Sequence, residues 1–336
     1  MKKTFDKLLR KNEFYIFLVI IVVGLAIQFR SGQFFASNNL VDIFSAMIVP
    51  HLFGLGLFMI IVTGGIDISF PAIASLSCYI TTKVMIDTNF NGSILVPLIM
   101  AGAIGWILGM LNGFLVVKFN FPALIITLGT QSIFRGINQG VLGAVQLPIL
   151  PETMAKFGLE PLFKVVNRTS GLTSVMPIAA IIWVLAIVFV FLVMRFTMFG
   201  RGIYATGGNE VSAERAGFNV KKIKFLIYSF NGLLASIGGF IYFCRMGQYE
   251  PTNLIGMEMT IIAGVILGGT ALTGGKGSLF GVFIGTFLMV LVDNSLILLG
   301  VPSFWKTFAT GLLILIGVGI SALQVKRASN RYGKSS

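Results

Sequence analysis

Apolar runs long enough to form membrane-crossing helices recur along almost the entire chain, separated by short polar turns. A hydrocarbon core of about 30 Å asks for roughly 20 apolar residues per helix, and shorter pieces serve where a helix is broken or re-entrant. On that measure ten segments stand out, at 14–29, 40–62, 70–86, 94–117, 121–137, 174–194, 225–245, 258–272, 279–300 and 306–323. The third, fifth and eighth are short and carry Gly, Pro or polar residues, so neighbouring helices or a wet cavity must satisfy their backbone groups. Charged residues are only 11% of the 336, against about 25% in soluble domains, which excludes a water-soluble enzyme or DNA-binding protein. The expected fold class is all-α, a polytopic membrane protein of about ten transmembrane helices.

The net charge of +13 comes from 25 Lys and Arg against 12 acids, and the basic residues sit between apolar runs rather than on one nucleic-acid-binding face. Cytoplasmic loops are enriched in Lys and Arg. With ten crossings and the N-terminus inside, 17 of the 25 fall on the inner side and eight outside. Both termini are therefore expected in the cytoplasm. The layout expected is a basic cytoplasmic N-terminus at 1–13, a transmembrane domain at 14–323 and a basic cytoplasmic tail at 324–336. Two long loops interrupt the membrane domain, an external one at 138–173 rich in Pro and a cytoplasmic one at 195–224 rich in charge. No small-x-small cleavage site follows Phe29, so the first span is expected to remain as a helix.

Several chemistries are missing. A phosphate-cradling loop of the form G-x-x-x-x-G-K-[ST] is approached at Gly268–Gly277, but Thr270 stands where the first Gly belongs and Gly277 where the hydroxyl belongs. His51 is the only histidine, beside Pro50, and Cys78 and Cys244 lie in apolar segments, so no metal site is expected. His51 is expected to pack or line a cavity, and no pair of acids has a spacing suited to catalysis on a lipid-linked substrate.

Ionisable groups inside spans are functional candidates because burying them is costly. Asp42 lies near a helix end and suits an interfacial or capping role. Asp293 and Glu258 are either functional or structural, the latter by pairing with helix backbone or Arg245. In Thr63-Gly64-Gly65-Ile66-Asp67-Ile68-Ser69, two glycines end one helix, while Asp67 and Ser69 can cap the next, with Pro71 in its first turn. Such a break is either a capped turn or part of a transport pathway. A second polar set, Asn112, Thr127, Thr130, Gln131, Asn138, Gln139 and Asn294, suits a path for an uncharged polyhydroxylated solute or, equally, interhelical hydrogen bonding. Asn112-Gly113-Phe114-Leu115 is weakly echoed by Asn294-Ser295-Leu296-Ile297 on what would be the opposite face, as in an inverted repeat.

Three blocks carry a family resemblance: Gly64–Ser69, Gly200–Asn209 and Leu267–Ser278. In order and spacing the chain resembles, over nearly its whole length, a permease subunit of the ribose and simple-sugar branch of bacterial ABC importers. The first block departs slightly, with Asp67-Ile68-Ser69-Phe70-Pro71 where the family usually continues Asp-Leu-Ser-Val-Gly. The resemblance implies a multi-pass subunit of the bacterial inner or plasma membrane, without its own ATPase site or cofactor. Its implied partners are a second permease subunit, identical or a paralogue, a cytoplasmic ATPase that binds ATP and Mg²⁺, and an external solute-binding protein that delivers a sugar. It places the ATPase-coupling element at Gly207, Gly208, Asn209, Glu210, Ala213, Glu214, Arg215 and Gly217. The pathway candidates are Asp67, Ser69, Asn112, Thr127, Gln131 and Asn294, and the external loop with 246–257 is expected to meet the binding protein. The mechanism implied is alternating access driven by the ATPase. The rivals are a stand-alone ion-coupled secondary transporter titrating Asp67, Glu258 or Asp293, and a passive channel.

Overall fold

A computed structural model describes residues 12–167 and 171–298, with scattered positions between 302 and 319. The expected tenth span at 306–323 therefore lies largely outside the described residues, as do most of both basic tails.

The chain is mostly helical, a multi-pass membrane protein. α1 (Asn12–Ser31), α2 (Ser37–Val62), α3 (Phe70–Asp87), α4 (Leu95–Phe119) and α5 (Ala123–Gly136) come first, the last extended by one π turn at Ile137–Val141. A short α6 (Glu152–Leu159) precedes a two-stranded antiparallel hairpin, β1 (Pro161–Val166) and β2 (Thr173–Pro177). α7 (Ala180–Phe196), α8 (Met198–Gly208), α9 (Glu210–Arg215), α10 (Val220–Met246), α11 (Met257–Leu267) and α12 (Leu279–Leu298) follow. α1, α2, α4 and α10 are each long and apolar enough to cross a membrane alone, while α7 and α8 form a bent pair at 73°.

Two expectations are corrected. The fold is not purely α, and the sixth span starts at Ala180 rather than 174, because Thr173–Pro177 is spent pairing with β1. An apolar run of β-branched residues fits either period, and only the cross-strand partner decides between them. The hairpin is tied to α2 by Ser174 Oγ donating to Asp42 Oδ2 at 2.8 Å and by Asn167 Nδ2 donating to Asn38 Oδ1 at 2.9 Å.

Small residues let helices approach closely in lipid. α4 lies along α10 through Gly105, Gly109 and Gly113, whose missing Cβ atoms would strike the backbone of Gly232, Tyr228 and Phe225. α11 meets α12 likewise, with Gly264 and Gly268 against Gly285 and Gly281. The centre of the bundle is α2, buried along most of its length by α10, α12, β2 and α11. α1 is peripheral; only 17% of its apolar window is buried, with Ile16 against Ile284 and Leu288 of α12 and Ile27 joining the main core.

His51 in α2 is fully buried and accepts a hydrogen bond at Nδ1 from Trp183 Nε1 at 2.9 Å, with its ring edge-on to Trp183 and Phe283. It also lines a groove between α2, α7, α8 and α12. Cys78 and Cys244 are buried free thiols.

Candidate functional site

At one end of the bundle, α2 stops at Val62 and α3 starts at Phe70, and the seven residues between them turn inside the protein. Gly64 takes φ +82°, the left-handed conformation that glycine adopts without steric cost. Asp67 and Ser69 are fully buried. Asp67 Oδ1 accepts from the Ser69 backbone N–H at 2.7 Å and from the Ser69 hydroxyl at 2.6 Å, and Oδ2 accepts from Asn231 Nδ2 at 2.9 Å. Asn112 Nδ2 in turn donates to Ser69 Oγ at 2.7 Å. Thr127 joins from α5, its hydroxyl accepting from the Ile68 N–H at 3.4 Å and donating to the Ile66 carbonyl at 3.2 Å.

The cap differs from the expected one. Asp67 alone takes the N-terminal N–H, while the Ser69 side chain makes no cap hydrogen bond and turns to Asp67 and Asn112. A buried carboxylate with three donors is stable only if they stay in place. The network therefore pins α3, α4, α5 and α10 to one backbone break.

Further along the α3–α5 face is a second polar group. Gln131 Nε2 and Arg135 Nη2 both donate to Glu258 Oε1 at 2.6 Å, joining α5 to α11. The pairing of Glu258 with Arg245 is corrected, since Arg245 reaches across to donate to Ser45 O and Ser45 Oγ instead. Beyond it Asn138 Nδ2 donates to Ser75 Oγ at 3.1 Å and to Tyr249 OH at 2.9 Å.

Of the six pathway candidates, Asp67, Ser69, Asn112 and Thr127 are brought into one cluster and Gln131 lies one polar group away. Asn294 stands apart on α12, beside Asp293, which lines a cavity of about 670 Å³ between α10, α11 and α12. Asn231 was missed, and the signal was there: Asn231-Gly232-Leu233-Leu234 repeats the Asn-Gly start of Asn112-Gly113-Phe114-Leu115 more closely than the stretch at 294 does. Both Asn side chains converge on the break, and both glycines sit in the α4–α10 contact.

Beneath the break a cavity of about 320 Å³ is lined by Gly64, Gly65, Asn120, Glu210, Lys224 and Tyr228, among others. The Tyr228 hydroxyl is buried there with no hydrogen-bond partner. Here the segment 195–224 folds as α8 and α9. Thr197, Asn209 and Asn219 cap α8, α9 and α10 by accepting from the N–H groups of Gly200, Ser212 and Lys222. Among the proposed coupling residues, Ala213 is buried, Gly207 and Gly208 end α8, and Glu210, Glu214 and Arg215 project from α9. Glu210 is paired with Lys224 of α10 at 2.5 Å, and Gly217 takes φ +90° in the turn that follows. Among the described residues no group of three or more His, Cys, Asp or Glu could hold a metal ion.

The family described as branched-chain amino acid transport system / permease component matches residues 39–317. The chain is 32% identical over 305 residues to the ribose import permease protein RbsC of Escherichia coli, covering 90% of this chain and 91% of that protein. It is 30% identical over 318 residues to the probable ABC transporter permease protein YphD of the same organism, covering 95% and 92%. It is also 30% identical over 328 residues to the autoinducer 2 import system permease protein LsrC of Klebsiella pneumoniae, covering 98% and 91%. No solved structure gives a significant match.

Proposed function

Because the chain belongs to the family of branched-chain amino acid transport system permease components, we propose that it forms the translocation path of an ABC importer for a sugar or sugar-like solute. The observation that carries this is the match, over nine-tenths of both chains, to a ribose permease, with an autoinducer-2 permease matching over a similar extent. A furanose-sized, uncharged polyol is the substrate class, and it fits a molecule whose buried polar groups are mostly neutral amides and hydroxyls.

In this reading ten spans place both termini in the cytoplasm, the basic 195–224 end faces the cytoplasm and the hairpin end faces outward. The chain works with a second permease subunit, a separate ATPase that binds ATP and Mg²⁺, and an external solute-binding protein. It has no ATPase site of its own. α9, with Asn209, Glu210, Glu214 and Arg215 outward and Ala213 packing it onto the bundle, docks on the ATPase, and the hairpin with 246–257 receives the binding protein. Asp67, Ser69, Asn112 and Thr127 hold the inner gate at the α2–α3 break, and Gln131 and Asn294 flank the path above it. Alternation requires that ATP and loaded binding protein bind the two access states with different affinity.

A stand-alone ion-coupled transporter is the rival. Glu258 is ill suited to it, since Arg135 and Gln131 already occupy one of its oxygens at 2.6 Å. The test is reconstitution of the chain with its ATPase and binding protein in proteoliposomes, reading ATP hydrolysis and uptake across a panel of pentoses, furanose hexoses, nucleosides and amino acids. Hydrolysis stimulated by one sugar-loaded binding protein supports the proposal. Uptake by the chain alone, driven by an ion gradient and indifferent to ATP, overturns it.

A further inference from the structure

Three glycine-bearing turns from distant parts of the chain meet in backbone contact at the cytoplasm-facing end. Gly207, in the last turn of α8, sits so close to the Val62 carbonyl that a Cβ there would overlap it, and that Cβ would also lie 2.5 Å from the Gly275 N–H nitrogen. Gly275 N donates to the same Val62 carbonyl at 2.8 Å. Gly274 is at φ +82°, and a Cβ on it would lie 2.8 Å from both Gly207 O and Gly64 N. One turn back along α8, the Tyr204 hydroxyl donates to Gly277 O at 3.0 Å.

The end of α8, the end of α2 and the α11–α12 loop thus touch through main-chain atoms, with no side chain between them to yield. Flexible side chains absorb small displacements by changing rotamer, whereas backbone in contact passes them on. α9 begins two residues after Gly208, and five residues after Gly64 comes Ser69, held by Asn112 of α4 and bonded to Asp67, which Asn231 of α10 holds in turn.

The geometry points to Gly207, with Tyr204, as positioning residues that convert displacement of α9 into movement of the Asp67 break and of the α11–α12 hairpin together. The inference rests on the importer reading and adds to it the contact through which ATPase closure reaches the path. Gly207 is needed because any side chain would separate the three turns, and Tyr204 keeps the α11–α12 loop in register with α8.

The experiment uses the full complex with its ATPase and loaded binding protein. In Gly207→Ala the complex is expected to co-purify, while stimulation of hydrolysis by the binding protein disappears and uptake falls by at least about tenfold. Gly129→Ala, where a Cβ meets nothing within 4 Å, is expected to behave as wild type. Stimulated hydrolysis and uptake in Gly207→Ala equal to those of Gly129→Ala overturn the inference. Should Gly207→Ala fail to assemble, Tyr204→Phe decides, because it removes a single hydroxyl; more ATP consumed per solute supports the inference and an unchanged ratio overturns it. A wild-type complex without ATP-driven uptake overturns the importer reading itself, whereas a working wild type with a fully coupled Gly207→Ala overturns only the junction.

Discussion

The two halves of the Arg135–Glu258 pair should respond unequally to removal. The Glu258 side chain is 7% exposed and the Arg135 side chain 33%, at 2.6 Å. Arg135→Met leaves a carboxylate buried with Gln131 as its remaining donor, and stranding a buried charge in this way costs about 3–5 kcal/mol. Glu258→Gln keeps an oxygen for Gln131 and leaves a guanidinium already part-open to its surroundings, so the loss is closer to that of one charge-assisted hydrogen bond, about 1.5–3 kcal/mol. The double variant strands nothing, so its cost should lie well below the sum of the singles, with a coupling energy of at least about 1 kcal/mol. The assay is equilibrium unfolding of the purified chain in mixed micelles, followed by circular dichroism, for wild type, both singles and the double. A Glu258→Gln variant no more stable than Arg135→Met, or a double equal to the sum, refutes the burial argument.

Other perturbations separate structure from transport. Trp183→Phe leaves His51 Nδ1 without its donor and should cost about 1–3 kcal/mol, most of it recovered in Trp183→Phe/His51→Leu; a Trp183→Phe melting temperature equal to wild type shows that the bond contributes nothing. Gly109→Ala would set a Cβ 2.5 Å from the Tyr228 carbonyl, and overpacking of about 1–3 kcal/mol should outweigh the gain in helix propensity of about 1 kcal/mol, read as a lowered melting temperature against Gly129→Ala. In Asp67→Asn, Asn231 can turn its amide to offer an oxygen, so the complex should assemble while uptake is lost; wild-type uptake would show that the carboxylate charge is dispensable. Replacing 161–177 by a short Gly-Ser linker should leave the ATPase docked but deaf to the loaded binding protein, and loss of docking would remove the hairpin from that role.

Hydropathy located the helices well where length alone decides, as for α1, α2, α4 and α10, and the two glycines at 64–65 marked the break. What it could not supply was pairing. The hairpin strand at 173–177 was absorbed into a span because Val175 and Met176 extend the apolar run into α7, and its partner lies across a loop. Asn231-Gly232 echoes Asn112-Gly113 within a 27-residue helix, but only the approach of α10 to α4 aims its side chain at Asp67. Arg135 and Glu258 are 123 positions apart, so neither announces the other, whereas Arg245 is close in sequence and points elsewhere. Side chains whose role follows from a local turn were legible, and those defined by a distant helix were not.

The contact between α1 and α12 has a consequence for how the molecule is made. Ser278, just before α12, donates its hydroxyl to Glu13 of α1, a partner 265 residues earlier. At synthesis rates of about 5–20 residues per second, roughly 13–50 s separate the emergence of the two groups from the ribosome. During that interval α1 lacks its α12 partner, and its outward Phe17, Leu18, Ile21, Val22 and Leu25 suit it to wait among lipid tails. Docking of α1 on α12 therefore comes late, and a charge placed on the exposed face of α1 should harm the nascent chain more than the finished one.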